Sequence, residues 1–199
     1  QLANSETGIL QQLPPDLAVT DATQGFGKIP FSFRQSGADM ALISAHKLGG
    51  PKGIGALVIR RGLDIKAQLR GGGQEMGRRA GTENIIGIAG FGAAAEAAAR
   101  DISSDAWGEV AKLRNILENT LEAATKSIIF VGNTEKRLPN TTCFAIPGWK
   151  GETQVVQMDL AGFAVSAGSA CSSGKVRESG VLRAMGFDAE TASSAIRAS

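Results

Sequence analysis

Four groups of residues have the types and spacing to do chemistry. The first is Ser44-Ala45-His46-Lys47, followed by Leu48-Gly49-Gly50-Pro51-Lys52-Gly53-Ile54-Gly55. A lysine just past an apolar run, flanked by glycine-rich turns, is open to partial desolvation, which frees an amine for Schiff-base chemistry. Ser44 and His46 could hydrogen-bond an anion beside it. Taken alone, Lys47 reads as an ordinary surface lysine after a strand, and Lys52, after a proline in a turn, reads as solvated. The second group is Thr20-Asp21-Ala22-Thr23-Gln24. An acid there is a helix cap or a carboxylate that pairs with a protonated ring nitrogen. The third is Ser166-Ala167-Gly168-Ser169-Ala170-Cys171-Ser172-Ser173-Gly174. Its neighbours are too small or polar to build an apolar pocket, so Cys171 reads as an accessible, reactive thiol on a flexible loop. Cys143, in Thr-Thr-Cys-Phe-Ala-Ile, reads as packing in a strand. The fourth is the run Gly71-Gly72-Gly73-Gln74-Glu75 with Gly77-Arg78-Arg79-Ala80-Gly81-Thr82, either a phosphate cradle opening a helix or a plain loop. One His and two Cys offer no zinc spacing, so no metal is expected.

Strands and turns must present these groups. Apolar runs at 17–20, 40–44, 56–59, 127–131, 141–146 and 163–166 predict strands. The second and third are almost wholly apolar, which predicts parallel strands covered on both faces. The first two run into Asp21 and into Ser44-Ala45-His46-Lys47. Ligands of open α/β sheets sit off the carboxyl ends of strands, so Asp21 and Lys47 are expected to face one crevice. Residues 82–100 predict an Ala-rich helix apolar enough to be buried, with Gly87 and Gly90 permitting close packing on one side. Residues 105–126 predict an amphipathic helix with Val110, Leu113, Leu117 and Leu121 on one stripe, capped by Ser104 or Asp105. The expected division is 1–103, part of a large α/β domain, and 104–199, a smaller α+β domain carrying the Cys171 loop.

The chain has 199 residues, 21 basic and 19 acidic, for a formal net charge of +2. No basic block or aromatic-interleaved stripe points to nucleic acid. No apolar run approaches the roughly 18 residues needed to cross a bilayer, so no membrane is implied. The 26 glycines exceed the ordinary share of about 7% without a collagen period, which points to tight turns and close backbone approach. Two cysteines make no disulfide framework, and a reducing cytoplasm fits. No signal peptide is visible in Gln1-Leu2-Ala3-Asn4. A chain without an initiating Met that stops after Ile196-Arg197-Ala198-Ser199 is expected to be part of a longer polypeptide.

Taken together, the motifs resemble the cysteine desulfurases, the NifS-like branch of the class V aminotransferases. In order they are Asn4-Ser5-Glu6-Thr7-Gly8, Asp21-Ala22-Thr23-Gln24, Ser44-Ala45-His46-Lys47, Pro51-Lys52-Gly53-Ile54-Gly55, Gly71-Gly72-Gly73-Gln74-Glu75, Arg79-Ala80-Gly81-Thr82-Glu83-Asn84, Ser169-Ala170-Cys171-Ser172-Ser173-Gly174 and Ile196-Arg197. Each is modest, but in register through the whole chain they are specific. The resemblance implies an α/β fold of the aspartate-aminotransferase type, a homodimer and pyridoxal 5'-phosphate. It implies Lys47 as the Schiff-base lysine and Asp21 as the partner of the pyridine nitrogen. Gln24 matches the residue bonding the ring oxygen, and Ser44 and His46 match phosphate ligands. Thr82 matches a phosphate contact donated across the dimer. Asn4 and Arg197 match the groups that hold the substrate carboxylate, and Cys171 matches the sulfur-accepting nucleophile. The implied reaction converts L-cysteine to alanine and leaves a persulfide on Cys171 for a sulfur acceptor or an iron–sulfur cluster scaffold.

Two features depart from the family pattern. The N-terminal part, with its phosphate-cup turn and ring-stacking His, is absent. Asn4 and Asp21 also stand closer than usual, as if a helix after Gln11 were missing. Other readings are a selenocysteine lyase or another class V enzyme, or a truncated paralogue that binds sulfur-relay partners without catalysis. The Cys171 loop favours sulfur transfer over transamination.

Overall fold

The computed structural model describes residues 1–168 and 178–199. They form two compact units: Gln1–Leu2 with Gln12–Ser104, and Ala3–Gln11 with Asp105–Ser199. The stretch Ala3–Gln11, which chain order would place in the first unit, groups with the second.

The first unit is built on a three-stranded sheet, β1 (Val19–Asp21), β2 (Met40–Ser44) and β3 (Gly55–Ile59), in that order. β1 and β2 are parallel, with Asp21 opposite Leu42. β3 runs antiparallel to β2, from Met40 opposite Ile59 to Ser44 opposite Gly55, which corrects the parallel expectation for this strand. A parallel crossover needs about a dozen residues or more, and only residues 45–54 join β2 to β3. They fold instead as a 3₁₀ turn, Ala45–Leu48, closed by Gly49 at φ 86°. That left-handed conformation costs little only for glycine.

Side chains alternate across the sheet. Thr20 and Ala41 share one face and are fully buried. Val19, Leu42 and Leu57 share the other and are 41, 43 and 42% exposed. Cover is therefore found on one face, not on both as expected.

A helix, α1 (Ile85–Ser103), follows. Asn84 caps it, its Oδ1 accepting the Gly87 N–H at 3.0 Å. The alanines at 93–95 and 97–99 favour helix. Thr82, expected inside the helix, precedes the cap. Gly90 brings α1 against the turn that carries Lys47, since a Cβ there would stand 2.5 Å from Pro51 Cγ. The expected burial of this helix is met only at Gly87 and Ala98, while Ile85, Ile86 and Ile88 are exposed. One packed turn cannot cover a helix that is apolar all round.

The second unit contains α2 (Ala106–Ala124), α3 (Gly151–Leu160), α4 (Gly180–Ala184) and α5 (Ala189–Ser193). Its antiparallel sheet has β4 (Ile129–Phe130), β5 (Thr142–Ala145), β6 (Ser166–Ala167) and β7 (Ala195–Ala198) in the order β4-β5-β7-β6. Val131, Cys143, Ala145, Leu182, Ala192 and Ala195 form its core. The buried Gln154 amide ties α3 to the end of α5, donating from Nε2 to the carbonyls of Trp149 at 2.6 Å and Ser194 at 2.8 Å.

The expected stripe of α2 is met at Val110 and Leu121, half-buried with Trp107, Ala111, Arg114 and Glu118, but not at Leu113 and Leu117, which are exposed with Ile116. The inward side carries charge because Glu118 meets Arg137 there, accepting from Nη1 at 2.7 Å and Nη2 at 3.0 Å. Neither expected cap forms: Asp105 adopts φ 57° without a side-chain cap hydrogen bond, and Ser104 instead closes α1.

Two expectations follow from this core. Leu182→Ala should lower the unfolding free energy by about 2–5 kcal/mol, read by urea denaturation. Burial, with the Glu6 carboxylate adding to it, pushes the Cys143 thiol up to about 12. Iodoacetamide at about pH 8 should leave Cys143 unmodified in the native protein and alkylate it once urea unfolds the chain.

Candidate active site

Asp21 ends β1 and Ser44 ends β2. Because these strands are parallel, both residues lie at the same edge of the sheet. Because Asp21 pairs with Leu42 and side chains alternate, Asp21 and Ser44 also share the open face. Asp21 Oδ1 accepts the Thr23 N–H at 2.9 Å, and its second oxygen has no hydrogen bond among the described residues. Gln24 follows, half-buried, in the turn after β1. Ser44 Oγ stands 2.8 Å from His46 Nδ1. Lys47 lies on the 3₁₀ turn one residue further on.

The described residues do not bury Lys47 as expected. The turn buries Ala45 and leaves Lys47 exposed, with no hydrogen bond or ion pair among the described residues. Thr82 sits elsewhere in the first unit, on the wall of a groove of about 830 Å³ with Leu57, Ile59, Glu75, Arg79 and Phe91. Asp21, Ser44 and Lys47 do not line that groove. Cys171, the expected nucleophile, falls among residues 169–177, outside the described part of the structure.

In the second unit, Asn4 opens a tight turn. Its Oδ1 accepts the N–H groups of Glu6 and Thr7, both at 2.9 Å, and the Gly8 N–H reaches its carbonyl at 3.0 Å. The amide oxygen is therefore committed, and its NH₂ has no acceptor among the described residues. Arg197, in β7, pairs with Cys143 on one side and Ser166 on the other. Its Nη1 donates to the Ser5 carbonyl at 2.5 Å and its Nη2 to Ser166 Oγ at 3.3 Å. Its Nε is buried without an acceptor among the described residues. The turn of Asn4 and the guanidinium of Arg197 are thus tied together through Ser5.

These placements define what each unit can hold. A carboxylate is the natural partner of an amide donor next to an arginine with N–H groups to spare. The first unit offers a primary amine, a carboxylate, a hydroxyl and an imidazole at one sheet edge. That set fits pyridoxal phosphate: a carboxylate for a protonated ring nitrogen, a hydroxyl and an imidazole for a phosphate, and an amine for an aldehyde. Ser166, which helps hold Arg197, was not legible as such in the sequence, because the contact arises only from the pairing of β6 with β7.

Comparison with known proteins gives the chain its relatives. Residues 9–199 match the family described as aminotransferase class-V. A cysteine desulfurase of Gluconacetobacter diazotrophicus is 46% identical over 204 residues, covering 98% of this chain and 51% of that protein. The solved NifS-like protein of Rickettsia africae superposes with a TM-score of 0.88 at 36% identity, covering 100% of this chain and 54% of the other. SspA, solved in complex with cysteine, superposes at 0.75 with 28% identity, covering 100% of this chain and 56% of the other. The chain spans about half the length of the curated relatives it matches. With residues 9–199 matched to that family and the fold of the solved NifS-like protein shared, this chain belongs to the class-V aminotransferase family.

Proposed function

We propose that the chain is part of a cysteine desulfurase, which converts L-cysteine to L-alanine and passes the sulfur to Cys171. The observation that carries this reading is the placement of Asp21 and Ser44 on one face and one edge of the sheet, leading directly into Lys47. The 46% identity to a cysteine desulfurase supports it. Pyridoxal phosphate, when bound, supplies the electron sink for a carbanion at the substrate's Cα.

Each residue then has a task. Lys47 anchors the cofactor through its amine and takes the α-proton once released. Asp21 holds a proton on the ring nitrogen, and Gln24 bonds the ring oxygen. Ser44 and His46 hold the phosphate, and Thr82 reaches the phosphate of a second copy in a homodimer. Asn4 Nδ2 and Arg197 hold the substrate carboxylate. The Cys171 thiolate attacks the substrate sulfur. An S–S bond forms, the Cβ–S bond breaks, Cβ takes a proton, and alanine leaves with a persulfide remaining on Cys171. The persulfide sulfur goes on to an acceptor such as a cluster scaffold, in the cytoplasm. No helix among the described residues is long and apolar enough to cross a membrane.

Two measurements test this. Cys171→Ala should abolish alanine release from L-cysteine, and an undiminished yield would defeat the persulfide step. Asn4→Asp keeps an acceptor for the Glu6 and Thr7 N–H groups but replaces the free donor with an anion. It should fold normally and raise KM for L-cysteine by about two orders of magnitude, as measured by steady-state alanine release. An unchanged KM would remove Asn4 from the carboxylate site.

A further inference from the structure

We propose that the ion pair between Glu118 and Arg137 is a positioning device for the Asn4 turn, setting the angle at which its amide meets the substrate carboxylate; this role rests on the desulfurase reading above. The link is continuous and lies wholly within the second unit. Arg137 faces Ile9 in an isolated antiparallel bridge. On either side, the Leu10 N–H donates to the Lys136 carbonyl at 2.8 Å, and the Leu138 N–H donates to the Gly8 carbonyl at 2.8 Å. Gly8 in turn closes the Asn4 turn. The strand-like segment 136–138 is therefore the surface on which the turn is laid.

α2 holds that segment by polar groups at two points. The Arg137 guanidinium is forked onto the Glu118 carboxylate, with side chains 5 and 13% exposed. Arg114 Nη1, one turn earlier on the same side of α2, donates to the Leu138 carbonyl at 2.9 Å. Burial pushes the Glu118 carboxyl up, but the Arg137 guanidinium and the Thr142 hydroxyl beside it, with the charge of Arg114, hold it below its ordinary range. The carboxylate is thus charged at neutral pH and the fork intact. A forked arginine–carboxylate pair fixes orientation as well as distance. Rotation of Arg137 would move both flanking hydrogen bonds and, through Gly8, the Asn4 amide. Errors of about 1 Å at such a group reduce turnover strongly.

The test compares Glu118→Gln, Arg137→Lys and, as a control at an exposed carboxylate one turn further along α2, Glu122→Gln, each in the intact polypeptide loaded with pyridoxal phosphate. Hydrogen exchange of the peptide spanning residues 3–11 is read beside KM and kcat for L-cysteine. Glu118→Gln should speed exchange in that peptide while leaving β5 and β7 protected. It should raise KM about tenfold with kcat changed by less than about twofold. Arg137→Lys, which keeps the charge but not the fork, should do the same by about threefold. Glu122→Gln should change nothing. Faster exchange with an unchanged KM, or exchange that rises equally everywhere in both Glu118→Gln and Arg137→Lys, overturns the positioning role. If the wild type itself releases no alanine, the desulfurase reading fails, and the exchange of residues 3–11 still decides whether the pair holds the turn.

Discussion

Three backbone pairings between β1 and β2 set the chemistry of the first unit. Val19, Thr20 and Asp21 lie opposite Met40, Ala41 and Leu42, in parallel. In that register Thr20 and Ala41 point into the covered face, while Asp21 and Ser44 point into the open one. A slip of one residue would reverse every side chain of β1. Asp21 would then enter the face where Thr20 and Ala41 are sealed from solvent. An unpaired carboxylate buried there would cost several kcal/mol. The charge of Asp21 therefore enforces the register that presents it on the open face.

The second unit solves a different problem. Its two candidate carboxylate ligands, Asn4 and Arg197, lie near opposite ends of the chain. No local signal brings them together. The pairing of β7 with β5 and β6 fixes Arg197, and the placement of residues 3–11 on segment 136–138 fixes Asn4. The guanidinium then joins the two through the Ser5 carbonyl. Among the described residues the Asn4 Oδ1 and both terminal nitrogens of Arg197 are committed to protein partners, while Arg197 Nε is buried without an acceptor.

What the sequence made legible follows from how local the deciding forces are. β2 is read to the residue, because an apolar run ending in polar residues has no other good fold. The placement of Asp21 and Ser44 at one end of β1 and β2 is legible for the same reason. The direction of β3 is not, because an apolar strand looks alike in a parallel or an antiparallel partnership; the length of the loop decides it. α4 and α5, of five residues each, are too short to show a period. Only their caps mark them, Ser179 accepting the Leu182 N–H and Asp188 accepting the Thr191 N–H. The face of α2 misleads most. Hydrophobicity places Leu113 and Leu117 inward, and the structure places Arg114 and Glu118 there instead, because their partners at 137 and 138 are distant in sequence.

That inversion explains why a helix side with leucines to spare is held by charge. Two apolar side chains at 118 and 137 would bury as much surface, and buried ion pairs are often no more stable than such replacements. Apolar contacts, however, are non-directional and tolerate a slide or a rotation. A carboxylate taking both arms of a guanidinium allows one arrangement. Segment 136–138 needs that single arrangement, since the two backbone hydrogen bonds that join it to residues 3–11 end at Gly8 and Leu10, a few residues from Asn4. The cost of desolvating the pair is offset here by geometry, because a carboxylate site works only if its donors point the right way before the ligand arrives.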